Sequence, residues 1–273
     1  MQLSEIPAVC ISLDRRPDRW QTFSVSAAAA GIPVARMSAV DAQGFGARPF
    51  DHPDVSLLTA HNIRFGRRRS HYEIDRAGAI GASLSHFKCW KQLLASRAPA
   101  LIVFEDDVTL PLDLRPRLER ILAAAPPGWD MIQMQRTMFA DGEHDCTPLP
   151  GAGDEPWQLC ESLTGAYAYI ISRGGAEKLL ARAYPIELHV DAYMGFMCRM
   201  GYIQMIWHPL VDIPQPDGSD TDIDHGASEI IDLPSNLSAN GLIAMRQSAV
   251  VGVMAMAAVA GGLVALAWLG KKR

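Results

Sequence analysis

The chain has 273 residues, 49% hydrophobic and 20% charged, a composition that excludes a disordered or low-complexity class and allows one sizeable core. With 25 Lys and Arg against 30 Asp and Glu, the net charge of −5 gives no reason to expect a nucleic-acid-binding face. Any phosphate binding must therefore be local.

Along residues 1–211, short apolar runs alternate with helix-like stretches, which is the pattern of an α/β domain with crossover helices packed on a sheet. The opening MQLSEIPAVC lacks the basic start and apolar core of a secretory leader, so folding is expected to begin at once. AVCISL reads as the first strand and WQTFSVSAAAAG as a helix closed by Gly31. PVARMSAV reads as the second strand, SLSHFKCWKQLLASR as an amphipathic helix and ALIVF as the next strand. LRPRLERILAAAP and WDMIQM follow as helix and strand, then AYAYIIS and GGAEKLLARAYP as another such pair.

Residues 212–246 are rich in Pro, Gly, Ser and acid and read as an extended tail or linker. Residues 247–270 carry no charge, and at about 1.5 Å per residue they would cross the ~30 Å hydrocarbon core as one transmembrane helix. Trp268 and the basic flank of residues 271–273 stand where an interface would be. A buried C-terminal helix is the competing reading, and the lack of any polar face weighs against it.

Cys10, Cys89, Cys146, Cys160 and Cys198 are odd in number and contain no Cys-x-x-Cys pair, which argues against a zinc centre or a dense disulfide framework. Most are expected to be buried thiols. Cys146 and Cys160 share one loop-like stretch and are the one candidate bridge. The terminal basic residues and the sequon Asn236-Leu237-Ser238 favour translocation of the domain, whereas the missing leader and the cysteine usage favour retention. The expectation is a single-pass C-terminal membrane anchor with the folded domain facing the cytosol.

The chemistry starts at ALIVFEDDVTLP, where a buried strand ends in three acids. In open α/β sheets, ligands sit beyond the carboxyl ends of strands, so Glu105, Asp106 and Asp107 fall at the ligand edge. Side-chain alternation would send Glu105 and Asp107 to one side and Asp106 to the other, unless the strand has already turned. Two carboxylates on one side suit a hard divalent cation such as Mn²⁺ or Mg²⁺, with waters and a diphosphate completing its shell. A solvated strand end explains three bare acids as well.

Four further stretches sharpen this: ISLDRRPDRW, AVDA at 39–42, GAIGASLSHFKCW and TGAYAYIISRGGAEKLL. With the EDD, their order and spacing resemble glycosyltransferase family 25, the lipooligosaccharide and procollagen β-galactosyltransferase family, across roughly residues 6–223. Ser12 stands where that family usually has Asn, Ala42 where Gly is common, and Ala82 where Cys is usual. The resemblance implies a GT-A-like nucleotide-sugar-binding fold with a mostly parallel central sheet and a bound divalent metal. It also implies inverting transfer of a hexose, galactose or glucose, from a UDP-hexose to a hydroxyl of a glycan, glycolipid or protein, as in lipopolysaccharide biosynthesis.

Residue roles follow from that resemblance where the chemistry permits them. Ser12, Asp14, Arg15 and Arg19 lie just past strand one, where Pro17 suits a helix start whose N–H groups and cations could meet a nucleotide or its phosphates. Asp41 is placed to accept from a ribose hydroxyl or a base N–H, although a lone loop Asp also forms Asx-turns. No Lys-[ST] pair follows Gly81, which excludes a phosphate-binding Walker loop; Gly78 and Gly81 instead permit close backbone approach as the chain enters a helix. Ser85 and His86 are donor-side candidates with Asp106, and His86 either faces the diphosphate, orients an acid, or is simply a buried histidine.

Inverting transfer needs a base for the acceptor hydroxyl. Asp191 in HVDAYMGFM is the candidate, with Glu187 in reserve; Tyr193 and Phe196 beside it suit a sugar platform, and a helix N-cap is the plainer reading of Asp191. His208 would complete the metal shell formed by Glu105 and Asp107. Arg64, Arg67, Arg68, Arg69 and Arg76 form a local basic excess that reads as a solvated loop, or as a contact for anionic headgroups or a charged acceptor. Two other classes compete with the transferase: a metal-dependent phosphohydrolase using the same EDD, and a non-catalytic membrane-anchored binding protein on a transferase fold.

Overall fold

The structure is a computed structural model that describes residues 1–46, 48–135, 146–151, 153–162, 165–214 and 229–230. Its strands are β1 (Ala8–Ser12), β2 (Ala35–Ser38), β3 (Arg67–Arg68), β4 (Ala100–Glu105), β5 (Met131–Gln133), β6 (Cys146–Pro148), β7 (Gln158–Cys160), β8 (Ala168–Ser172) and β9 (Met205–Trp207). Its α-helices are α1 (Pro17–Ala29), α2 (Leu57–Phe65), α3 (Ala77–Ala95), α4 (Leu114–Ala124), α5 (Arg173–Leu180) and α6 (Val190–Arg199).

Eight strands form one sheet in the order β2-β1-β4-β8-β5-β9-β7-β6. The sheet is mixed. Pairing is parallel for β1–β2, β1–β4 and β5–β9, and antiparallel for β4–β8, β5–β8, β7–β9 and β6–β7. The parallel trio therefore lies at one side of the sheet, where β1 and β4 run in register from Ala8 beside Ile102 to Ile11 beside Glu105.

The apolar runs of β1 and β4 are continuous rather than alternating because helices cover both faces. Val9, Ile11 and Val103 face one core with Ile80, Phe87 and Trp90 of α3. Cys10, Ile102 and Phe104 face the other with Phe23 of α1 and Leu118 of α4. Every helix and sheet strand expected within residues 1–211 is present. Gly31, at φ +69°, follows α1 as its turn residue.

Helix α2 was not foreseen, because nine residues with a weak apolar stripe carry little signal beyond the Ser56 cap and the terminal Gly66. Cys146 and Cys160 are direct partners across β6 and β7 and are joined by a disulfide, whereas Cys10, Cys89 and Cys198 are buried thiols. The expected linker (212–246) lies outside the described residues except at 212–214 and 229–230. The transmembrane segment (247–270) and basic flank (271–273) lie wholly outside them. No helix among the described residues is long and apolar enough to cross a membrane.

Candidate active site

Parallel β1 and β4 end side by side, and the space beyond them is roofed by the loop after β2 and the first half of α3. The result is a cleft of about 120 Å³ lined by Arg15, Arg19, Asp41, His86 and all three acids. Strand β4 stops at Glu105 and the chain turns immediately, so the strand alternation does not extend to Asp106 and Asp107. The strand has therefore already turned at Asp106, the case the sequence reading set aside from strict alternation.

Arg19 reaches in from α1, with Nη2 2.9 Å from Asp106 Oδ1 and 3.0 Å from Asp107 Oδ2. Its side chain and that of Asp106 are nearly buried. Burial, then the neighbouring Glu105 charge, pushes the Asp107 carboxyl up to about 7 against the opposing pull of Arg19. Glu105 Oε1 lies 3.1 Å from His86 Nε2, and the Glu105 N–H donates to the Tyr167 carbonyl at 2.9 Å.

The loop after β2 is fastened to α3 through backbone contacts. The Val40 N–H donates to Ser85 Oγ at 2.8 Å, and the Ser85 hydroxyl donates to the Gly81 carbonyl at 2.7 Å. A Cβ at Gly81 would lie 2.6 Å from the Val40 oxygen, so glycine is required by close approach. Ser85 thus holds the loop. Asp41, at the head of the short turn Ala42–Phe45, accepts from Gln43 N–H at 3.0 Å and pairs with Arg15 Nε at 2.9 Å. The Asx-turn reading of Asp41 holds, and the residue also lines the cleft.

Ser12 and Asp14 are not brought to the cleft. Ile11 and Leu13 line it, and alternation turns Ser12 away. Its buried Oγ has no hydrogen-bond partner among the described residues. Asp14 accepts from the Ser38 hydroxyl at 2.7 Å and pairs with Arg36 at 2.8 Å, and these two partners hold its carboxyl below the usual range.

Asp191 lies in the first turn of α6, where His189, not Asp191, is the N-cap. Its Oδ2 accepts from Gly165 N–H at 2.7 Å and its Oδ1 from Ala192 N–H at 2.8 Å. Gly165 precedes β8 by three residues, and Ala168 pairs with Phe104, so Asp191 is tied to the sheet edge that carries the acids without lining their cleft. Glu187 is exposed and borders a separate hollow with Phe87 and Tyr193. The Tyr193 hydroxyl donates to the Leu179 carbonyl and its ring meets Phe87 edge-on. Phe196 is exposed and meets Tyr72 edge-on at 5.5 Å.

His208 is also separated from the acids. It follows β9, three strands from β4, or roughly 14 Å at the usual inter-strand spacing. It is buried, its Nδ1 accepts from Leu210 N–H at 3.2 Å, its Nε2 lies 3.4 Å from Glu155, and Trp157 packs against the ring. Desolvation lowers its pKa despite Glu155. The expected ligand set of Glu105, Asp107 and His208 is therefore reduced to the two carboxylates. Among the described residues no group of three or more His, Cys, Asp or Glu converges as a metal site. Two hard oxygen donors still fit a cation that keeps waters and takes phosphate oxygens.

The basic segment is engaged within the domain. Arg69 pairs with Glu73 at 2.6 Å, and Arg76 with Asp75 at 2.7 Å. Arg68 lies 3.4 Å from Asp75, and Arg67 pairs with Glu229 at 3.1 Å. Sequence reasoning passed over Trp90 and Tyr169, which are fully buried and hydrogen-bonded to one another. A signal was present: polar-tipped aromatics inside buried elements require partners.

Across this domain the chain is similar to known proteins. The family model described as Glycosyltransferase family 25 (LPS biosynthesis protein) matches residues 6–194, which include Arg15, Arg19, Asp41, His86, the three acids and Asp191. The chain is 31% identical over 196 residues to the Homo sapiens "Inactive glycosyltransferase 25 family member 3", covering 68% of this chain and 31% of that protein. It is 27% identical over 195 residues to a Drosophila pseudoobscura pseudoobscura "Glycosyltransferase 25 family member", covering 68% of this chain and 29% of that one. To the Danio rerio "Procollagen galactosyltransferase 1" it is 25% identical over 197 residues, covering 68% and 30%. The chain thus spans about a third of the length of these curated relatives. A family match over most of the folded domain, with four of the five motifs that carry the resemblance lining one cleft, makes this chain a member of glycosyltransferase family 25.

Proposed function

We propose that residues 1–211 are the catalytic domain of an inverting hexosyltransferase on a GT-A-like fold, which moves galactose or glucose from a UDP-hexose to a hydroxyl of a glycan, glycolipid or protein acceptor. The observation that carries the reading is the convergence of Arg15, Arg19, Asp41, His86, Glu105 and Asp107 on one cleft at the carboxyl ends of parallel strands. Its 120 Å³ falls below the roughly 300 Å³ that encloses a drug-sized ligand, so it suits the diphosphate end of the donor.

A divalent cation held by Glu105 and Asp107, Mn²⁺ or Mg²⁺, would supply charge neutralisation for the leaving diphosphate. Arg15 and Arg19 add positive charge at the same place, and Asp41 offers an acceptor to the nucleoside. Asp106 and Asp107 hold Arg19 in position. Asp191 takes the proton of the acceptor hydroxyl: each of its oxygens accepts one backbone N–H, which leaves lone pairs on both.

We also propose a C-terminal membrane anchor, from the uncharged run 247–270. The Cys146–Cys160 bridge supports a domain that faces an oxidising compartment, against the cytosolic expectation.

A non-catalytic binding protein is the second reading. It is favoured by the Arg19 guanidinium already bridging two of the acids, as a resident cation would, and by relatives whose names declare them inactive. Incubation of the full chain with Mn²⁺ and a panel of nucleotide sugars separates these. Release of nucleoside diphosphate with hexose transfer supports the transferase, binding without turnover supports the second reading, and orthophosphate release points to a phosphohydrolase.

A further inference from the structure

Behind the acids, four side chains form one unbroken hydrogen-bonded row. Trp90 Nε1 lies 2.9 Å from Tyr169 Oη, Tyr169 Oη 2.9 Å from His86 Nδ1, and His86 Nε2 3.1 Å from Glu105 Oε1. Trp90 and Tyr169 are fully buried and His86 is 1% exposed, so solvent cannot serve as a substitute partner.

The donor inventory fixes the direction of this row. The Trp90 indole can only donate, so Tyr169 Oη accepts from it. The phenol has one proton, and the one acceptor next in the row is His86 Nδ1. If His86 carried its proton on Nδ1 instead, Tyr169 Oη would receive two donors and its own proton would be left buried without an acceptor. The imidazole lone pair on Nε2 would then face the Glu105 carboxylate. Protonation on Nε2 pairs every group.

We propose that Tyr169 and Trp90 are positioning residues for the cleft: they lock His86 as the Nε2–H tautomer, so that it donates to Glu105 and fixes which oxygen of that carboxylate is left for the cleft. The consequence for cation affinity rests on the proposed role of Glu105 as a metal ligand; the tautomer itself does not. A ligand held from behind by a hydrogen-bonded row loses less freedom when it binds, and removal of such supporting groups commonly weakens metal affinity 10–100-fold. Two of the sequence stretches that carry the family resemblance, SLSH and AYAYIIS, meet at the His86–Tyr169 bond.

The test uses the full chain labelled with ¹⁵N. Long-range ¹H–¹⁵N correlation reads the His86 ring, identified by the resonances lost in His86→Gln, and Mn²⁺ titration is followed by electron paramagnetic resonance. Wild type is expected to show a protonated Nε2 and a bare Nδ1. Tyr169→Phe is expected to give a tautomer mixture and a Mn²⁺ dissociation constant weaker by about ten-fold or more. Should Tyr169→Phe not fold, Trp90→Phe serves instead, since it removes the donor that orients the Tyr169 hydroxyl toward His86 Nδ1. A protonated Nδ1 in wild type, or an unchanged His86 spectrum in both variants, overturns the proposal. The expected tautomer in a wild-type chain that binds no Mn²⁺ supports the positioning role and removes the metal reading of Glu105.

Discussion

Ser85 and Val40, 45 residues apart in sequence, are joined by a 2.8 Å hydrogen bond from the Val40 N–H to the Ser85 hydroxyl. Through it, and through the close packing of Gly81 under the Val40 carbonyl, α3 sets the position of the loop that presents Asp41. Loop and helix act as one piece. Ser85→Ala leaves a part-buried N–H unpaired, at a cost of about 1 kcal/mol. Gly81→Ala forces its Cβ against backbone and costs roughly 1–3 kcal/mol. Both should weaken UDP binding in calorimetry, Gly81→Ala more; unchanged affinity in both would detach Asp41 from the donor.

Asp107→Asn should keep the fold, since the amide oxygen can still accept from Arg19. It should remove Mn²⁺-dependent turnover by at least ~10²-fold, a few kcal/mol of transition-state stabilisation. Circular dichroism and initial rates check the two halves, and near wild-type turnover would end the metal assignment.

Asp191→Ala should leave donor affinity within a few-fold and lower transfer by ~10²–10⁴. If donor affinity collapses and turnover persists, Asp191 serves to hold Gly165 and the base lies elsewhere.

His208→Ala separates a structural histidine from a ligand. The buried ring packs on Trp157 and caps Leu210, so its loss should lower the melting temperature by several degrees. Mn²⁺ affinity should not move. A selective loss of Mn²⁺ binding would restore His208 to the metal shell.

The fold was largely legible because its strands are continuous apolar runs between Gly, Pro and Asp punctuation, and five ordered motifs fixed their identity. The site was legible only in part. Side-chain alternation, correctly applied, removes Ser12 from the cleft, yet it does not reach Asp106, because β4 ends at Glu105 and the chain turns there. His208 was misplaced for a different reason: strand order is not written locally in sequence, and β9 joins the sheet three places from β4. Arg19 as the partner of Asp106 and Asp107, and Tyr169 as the partner of His86, depend on the packing of α1 and α3 across the sheet, which no single window of sequence contains.

The disulfide gives an independent check on compartment. Closing a loop of about 15 residues stabilises a domain by roughly 3 kcal/mol in the chain-entropy account. Reduction should therefore lower the melting temperature measurably, and alkylation of the native chain should label only thiols other than Cys146 and Cys160. Both cysteines recovered alkylated from the native chain would remove the bridge and return the domain to the cytosolic expectation.

Inverting hexose transfer at the Arg19–Asp107 cleft is read out by proton NMR of the reaction of the full chain with Mn²⁺, UDP-galactose or UDP-glucose, and a hydroxyl acceptor. Both donors carry an α-linked sugar. Inversion should release UDP and leave a new β-linked hexose on the acceptor, read from the anomeric coupling. An α-linked product, or tight UDP-hexose binding with no transfer to any acceptor, would contradict it.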